Sequence, residues 1–152
     1  PSGGLGWGLG AGLGVKLGQQ DKRVFCVVGD GSYMFGNPTP AHFVSAAYDL
    51  PVLTVIMNNK MWGSVRKATL GLYPEGAASS ANQAPLTYLD PAPEYHKIVE
   101  ASDGYGEEVK QPEDLPAALE RGLKAVDVDK RTAVINVNTT YDDAAAKADA
   151  VR

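Results

Sequence analysis

Two short stretches place chemistry-bearing residues where apolar runs stop. In "CVVGDGSYMF" the run ends at Gly29-Asp30-Gly31-Ser32, and in "VIMNNKMW" it ends at Asn58-Asn59. A lone carboxylate between two glycines suits a sharp turn that a ligand approaches closely. Backbone N–H groups in such a turn can face an anion. A carboxylate beside an anion needs a cation between them, and Mg²⁺ is the natural mediator: it is hard, octahedral and held by a few protein oxygens together with phosphate. An asparagine amide adds a neutral oxygen, so one acid and one amide leave a half-site that still needs anionic ligands. Each stretch also has a simpler reading. Asp-Gly is a common turn pair, and paired asparagines can satisfy turn carbonyls. Their combination, with 26 residues between Gly31 and Asn58, points more sharply to a metal–diphosphate complex.

The elements that position these residues follow from the pattern. Gly3 to Gly18 lacks proline and predicts a helix, although each glycine costs roughly 1 kcal/mol there relative to alanine. Such a helix implies close backbone approach to something. Arg23 to Gly29 and Pro51 to Asn58 read as buried strands, and Thr132 to Asn138 as a third. Pro40 to Tyr48 has helical spacing at Ala41, Val44 and Tyr48, with Pro38 and Pro40 suited to the helix start. Leu70 to Pro93 is aperiodic and reads as a long loop. Glu94 to Ser102 predicts a short helix and Glu107 to Val109 a short strand. Gln111 to Val126 predicts a helix with Leu115, Leu119, Leu123 and Val126 on one face and Glu113 and Asp114 in its first turn. Strands alternating with helices predict an α/β domain, a parallel sheet flanked by helices on both faces. Ligands of such sheets bind beyond the carboxyl ends of the strands, where both odd stretches lie.

The chain has 152 residues, enough for one domain, with 44% apolar and 21% charged residues. Its net charge of -4 gives no footing for nucleic acid or an anionic membrane. No long apolar run predicts a membrane span, and no secretory signal is found. The single cysteine, Cys26, suits a buried thiol in a reducing, cytoplasmic setting. Ten of the 17 glycines lie in the first 31 residues, and the abrupt start at Pro1-Ser2-Gly3-Gly4 leads to the expectation of a fragment of something longer.

Gly29-Asp30-Gly31, the 26-residue spacing and Asn58-Asn59 together resemble the thiamin diphosphate motif of the 2-oxoacid decarboxylase and acetolactate synthase family. "SGGLGWGLGAGLGVKLG" resembles the glycine-rich helix before that motif, and Glu107 to Thr139 resembles the closing helix–strand. The resemblance covers about residues 1–140, the diphosphate-binding domain that is normally the last third of a longer chain, and leaves 141–152 as a C-terminal tail. It implies thiamin diphosphate and Mg²⁺ as cofactors. Asp30, the Asn59 side chain and the Met61 backbone carbonyl would bind Mg²⁺, with diphosphate oxygens and water completing the octahedron. Gly29, Gly31 and Ser32 would border the diphosphate, and Trp62 and Gly63 the cofactor pocket, with core packing an equal alternative for Trp62. Gly3 would offer its carbonyl to the aminopyrimidine, and Leu5 would be the wedge that bends the cofactor.

The implied activity is decarboxylation or carboligation of 2-oxoacids, acetolactate synthase-like. The alternatives are a simple decarboxylase of the benzoylformate or indolepyruvate type and a non-catalytic binding or assembly domain. The family's partner is a pyrimidine-binding domain, usually of a neighbouring subunit, whose glutamate helps activate the cofactor; a homodimer or homotetramer follows. Nothing here supplies that acid, because Asp21 precedes the first strand and belongs at the opposite edge of the sheet. The chain departs from the family at "FGNPTPAHF", Phe35 to Phe43, which borders the substrate site. His42 in that stretch lies near the substrate or has a surface or capping role; His42 and His96 lack metal-type spacing. Gly6 to Ala11 also fits a dinucleotide fingerprint, but that motif must follow a strand.

Overall fold

The computed structural model describes residues 4–81 and 86–140. Four strands form one parallel sheet in the order β1-β2-β4-β3: β1 Phe25–Gly29, β2 Leu53–Asn58, β3 Tyr105–Val109 and β4 Ala133–Asn138. Parallel neighbours need crossovers, and the helices supply them. These are α1 Trp7–Gly18, α2 Asp30–Phe35, α3 Pro38–Ala47, α4 Gly63–Leu72, α5 Ala77–Ser80, α6 Tyr95–Ile98 and α7 Leu115–Asp127. Short 3₁₀ turns, Val99–Ser102 and Pro112–Asp114, follow α6 and precede α7.

Alternate strand residues feed two cores, one on each face of the sheet. On one face Cys26, Ile56 and Val134 pack with Leu9 of α1, Tyr33 of α2, and Tyr95 and Val99. On the other, Leu53, Ile135 and Val137 pack with Ala118, Ala125 and Val126 of α7. That is the expected sheet covered on both faces, and it explains why β4 is buried from Ala133 through Val137. Burial pushes the Cys26 thiol up, in keeping with an inert core residue. Asp21 lines a cavity with Lys16, Asp49 and Pro51, at the end of the sheet away from the Gly29 and Asn58 termini. No helix of the described residues is long and apolar enough to cross a membrane.

The close approach expected of the glycine-rich helix is real at Gly8, where an added Cβ would stand 2.6 Å from Val28 Cγ1. At Gly10, Gly14 and Gly18 it would meet nothing within 4 Å, so three of the five glycines of α1 face outward.

Four expectations need correction. The sharp turn expected at Gly29-Asp30-Gly31 is a direct strand-to-helix junction: Gly29 is still extended at φ -75° and ψ 156°, and the helix α2 begins at Asp30. The loop expected from Leu70 begins only after α4 ends at Leu72, and it contains α5. The helix expected from Glu94 to Ser102 is an α-turn continued by a 3₁₀ turn. β3 starts at Tyr105, two residues before its expected start. The tail 141–152 lies outside the described residues.

Candidate functional site

β1 and β2 are adjacent and in register, Gly29 facing Met57, so their carboxyl ends deliver Asp30 and Asn58-Asn59 side by side. Asp30 is 2% exposed. Its Oδ2 accepts a hydrogen bond from the Met61 N–H at 3.1 Å, and the same N–H donates to Asn59 Oδ1 at 3.1 Å. One amide thus gathers the two side-chain oxygens expected at a metal. Burial raises the Asp30 carboxyl above the ordinary carboxylate range, opposed by backbone N–H donors from Gly31, Met61 and Lys60. The donors present do not offset the desolvation, and positive charge would.

The two asparagines divide the two readings between them. Asn58, also 2% exposed, spends Oδ1 on the Lys60 N–H at 3.1 Å and closes the turn. Asn59, half-buried, is the one that meets Asp30. Lys60 takes the left-handed conformation at φ 58°, which reverses the chain there.

Residues 87–89 then clamp the turn. The Trp62 N–H donates to the Thr87 carbonyl at 2.7 Å, and the Leu89 N–H donates to the Lys60 carbonyl at 2.8 Å. Both bonds bypass the Met61 carbonyl. These clamp residues were missed because they sit in a stretch with no periodicity; only Thr87 and Tyr88, β-formers amid Gly, Ala, Ser and Pro, hinted at a bridge.

Gly31 is required by contact rather than by its dihedrals: an added Cβ would lie 2.6 Å from Trp62 Cε3. Trp62 therefore rests on the first turn of α2, with Phe35 edge-on at 6.4 Å. Ser32 Oγ accepts the Gly6 N–H at 3.0 Å, tying the start of α1 to that same turn. Gly29 is exposed, and a Cβ there would enter open space. Leu5 is 39% exposed beside this junction, Gly63 opens α4, and Gly3 lies outside the described residues.

His42 does not take the surface or capping role. It is 3% exposed and bonded to Tyr33, so it is a core residue. The glycines of the dinucleotide fingerprint open α1, and among the described residues no strand precedes them.

The donor set suits a hard cation that takes oxygen ligands: one carboxylate, one amide oxygen and a backbone carbonyl, with an open approach past Gly29. Among the described residues no three or more His, Cys, Asp or Glu side chains gather into a separate metal cluster.

The sequence from residue 2 to 137 matches the family model described as thiamine pyrophosphate enzyme, C-terminal TPP binding domain. The chain belongs to this family. Family members bind thiamin diphosphate with Mg²⁺, which is what the oxygen donors accommodate. The chain is 31% identical over 144 residues to the acetolactate synthase isozyme 3 large subunit of Escherichia coli K12, covering 93% of this chain and 23% of that protein. It is 32% identical over 139 residues to a 2-hydroxyacyl-CoA lyase of Oryza sativa subsp. japonica, covering 89% and 22%. Among solved structures, the thiamine diphosphate-dependent 4-hydroxybenzoylformate decarboxylase of Rhodococcus jostii RHA1 superposes with a TM-score of 0.75 at 29% identity, over 92% of this chain and 24% of that one. The chain thus spans about a quarter of the length of these proteins.

Proposed function

We propose that this domain holds the Mg²⁺–diphosphate end of thiamin diphosphate in an enzyme that decarboxylates or carboligates 2-oxoacids, acetolactate synthase-like. The observation that carries the reading is the convergence of Asp30 Oδ2 and Asn59 Oδ1 on the Met61 N–H. In this reading Asp30, Asn59 and the Met61 carbonyl hold the metal. Gly29, Gly31 and Ser32 border the diphosphate, Trp62 and Gly63 wall the pocket, and Gly3 and Leu5 meet the aminopyrimidine side. The bound cofactor supplies the electron sink for breaking or making the bond beside a carbonyl carbon. The chain's own residues bind, orient and close off one end of it. A simple 2-oxoacid decarboxylase is the second reading, favoured by the structural likeness to a decarboxylase.

The other end needs an acid that the site does not contain, so the partner is a pyrimidine-binding domain, in a homodimer or homotetramer. Trp7 and Phe35, 74% and 64% exposed, flank the Gly6–Gly36 contact beside the site and suit such a neighbour. Residues 1–140 form the domain, 141–152 its tail, and the buried lone thiol suits the cytoplasm.

Competition tests the reading. Inorganic diphosphate with Mg²⁺ should displace thiamin diphosphate, and unphosphorylated thiamin should bind far more weakly. Equal binding of thiamin and thiamin diphosphate would refute a diphosphate site, and cofactor binding without any need for metal would refute the role of Asp30.

A further inference from the structure

Helix α2 is six residues long and carries Asp30, Gly31 and Ser32 in its first turn. A helix that short has no stability of its own in water, so its neighbours decide where its residues stand. Tyr33, three positions after Asp30, is wholly buried. Its hydroxyl lies 2.7 Å from Nε2 of the buried His42, in α3. Burial pushes the imidazole down to about 4 and the phenol up, so the imidazole is neutral, Tyr33 donates and Nε2 accepts. Tyr95 closes the other side of the Tyr33 ring, edge-on at 5.7 Å.

His42 reaches this position through the proline-rich stretch that sequence reading had set beside the substrate. Asn37 turns left-handed at φ 49°, and Pro38, buried, starts α3. Burying two polar groups costs desolvation on both, and only the formed hydrogen bond offsets it. Such a pair contributes little net stability but tolerates few alternative arrangements.

Building on the assignment of Asp30 and Asn59 to the metal, we propose that Tyr33 and His42 are a positioning pair for the metal–diphosphate turn. Their hydrogen bond sets the rotation of α2 against α3, and so keeps Asp30 Oδ2 on the Met61 N–H and Ser32 Oγ on the Gly6 N–H. Neither residue is a ligand; both act through the helix that carries the ligands.

Amide hydrogen exchange of the 152-residue chain, read by NMR, tests this without any cofactor. Tyr33→Phe and His42→Leu should each speed exchange at Met61 and Gly6 by about tenfold, with Ile135 and Val126 changing less than about twofold. His42→Gln, which keeps an acceptor, should retain near-native protection. Uniform acceleration across the chain, unchanged rates at Met61 and Gly6, or equal effects of Gln and Leu would overturn the proposal. Mn²⁺ then separates it from the reading on which it rests. Broadening of the Gly31 and Asn59 resonances in the native chain, reduced in Tyr33→Phe at the same Mn²⁺ concentration, supports both. Undiminished broadening in Tyr33→Phe overturns the positioning role. No broadening in the native chain overturns the metal assignment instead.

Discussion

At the scale of single residues, the acid at position 30 stood out in the sequence because an apolar strand stopped on it. Which asparagine joins it did not stand out. Asn58 and Asn59 are chemically identical, and only the reversal at Lys60 sends one side chain into its own turn and the other toward Asp30. The fate of His42 was equally hidden, since its partner Tyr33 lies in a helix that the glycines disguised. His42 now predicts a pH dependence. Its ordinary value is 6.5 and burial lowers it to about 4 in the folded chain. Between these values the unfolded chain takes up a proton that the folded chain refuses, so stability falls as pH drops through that window and levels off below it. The loss due to this group is at most about 3 kcal/mol. Denaturant melts of the native chain and His42→Gln from pH 7 to pH 4 should diverge by that amount; parallel curves would mean the imidazole is not buried neutral. Leu5 carries a separate expectation. In the full enzyme Leu5→Ala should leave Mg²⁺-dependent affinity intact while slowing deuterium exchange at the cofactor's reactive carbon, and normal exchange would reduce Leu5 to a packing residue.

At the scale of elements, the strands and α7 were legible because burial on two faces and a leucine stripe write themselves into the apolar pattern. α2 was not, because its glycine, serine and aspartate are turn residues by propensity, and tertiary packing under Trp62 overrides that preference. α4 was missed for a related reason: its one buried side chain is Arg66, which leaves no apolar stripe to read. The glycine-rich α1 was legible as a helix but not in its sidedness. Substitutions along it should differ in sign. Gly8→Ala would press a methyl against Val28 and should cost about 1–3 kcal/mol. Gly10→Ala and Gly14→Ala enter open space in a helix and should stabilise the isolated chain by roughly 0.5–1 kcal/mol each. Thermal melts of the three variants check this, and a uniform sign would refute the packing of α1 on β1.

At the scale of the whole molecule, the proposed site comprises one end of the cofactor's surroundings. In the proposed reading the metal and diphosphate contacts come from β1, α2 and the turn after β2, and no carboxylic acid of the described residues joins them on the pyrimidine side. The fold could be read from strands alternating with helices, and the cofactor from the resemblance carried by Gly29-Asp30-Gly31 and Asn58-Asn59, whereas nothing in those motifs names a substrate, and the chain spans only about a quarter of the length of relatives whose named activities differ. Held at one end only, the cofactor should bind weakly, and the purified chain should turn over no 2-oxoacid; robust turnover by the chain alone would contradict a two-domain site. The most direct test of the central claim is a calorimetric titration of thiamin diphosphate at high concentration into the native chain and Asp30→Ala, each with Mg²⁺ and with chelator. Binding that requires both Mg²⁺ and Asp30, with Asp30→Asn intermediate because it keeps an oxygen without the charge, is the predicted result. Equal affinity in chelator, or in Asp30→Ala, would contradict it.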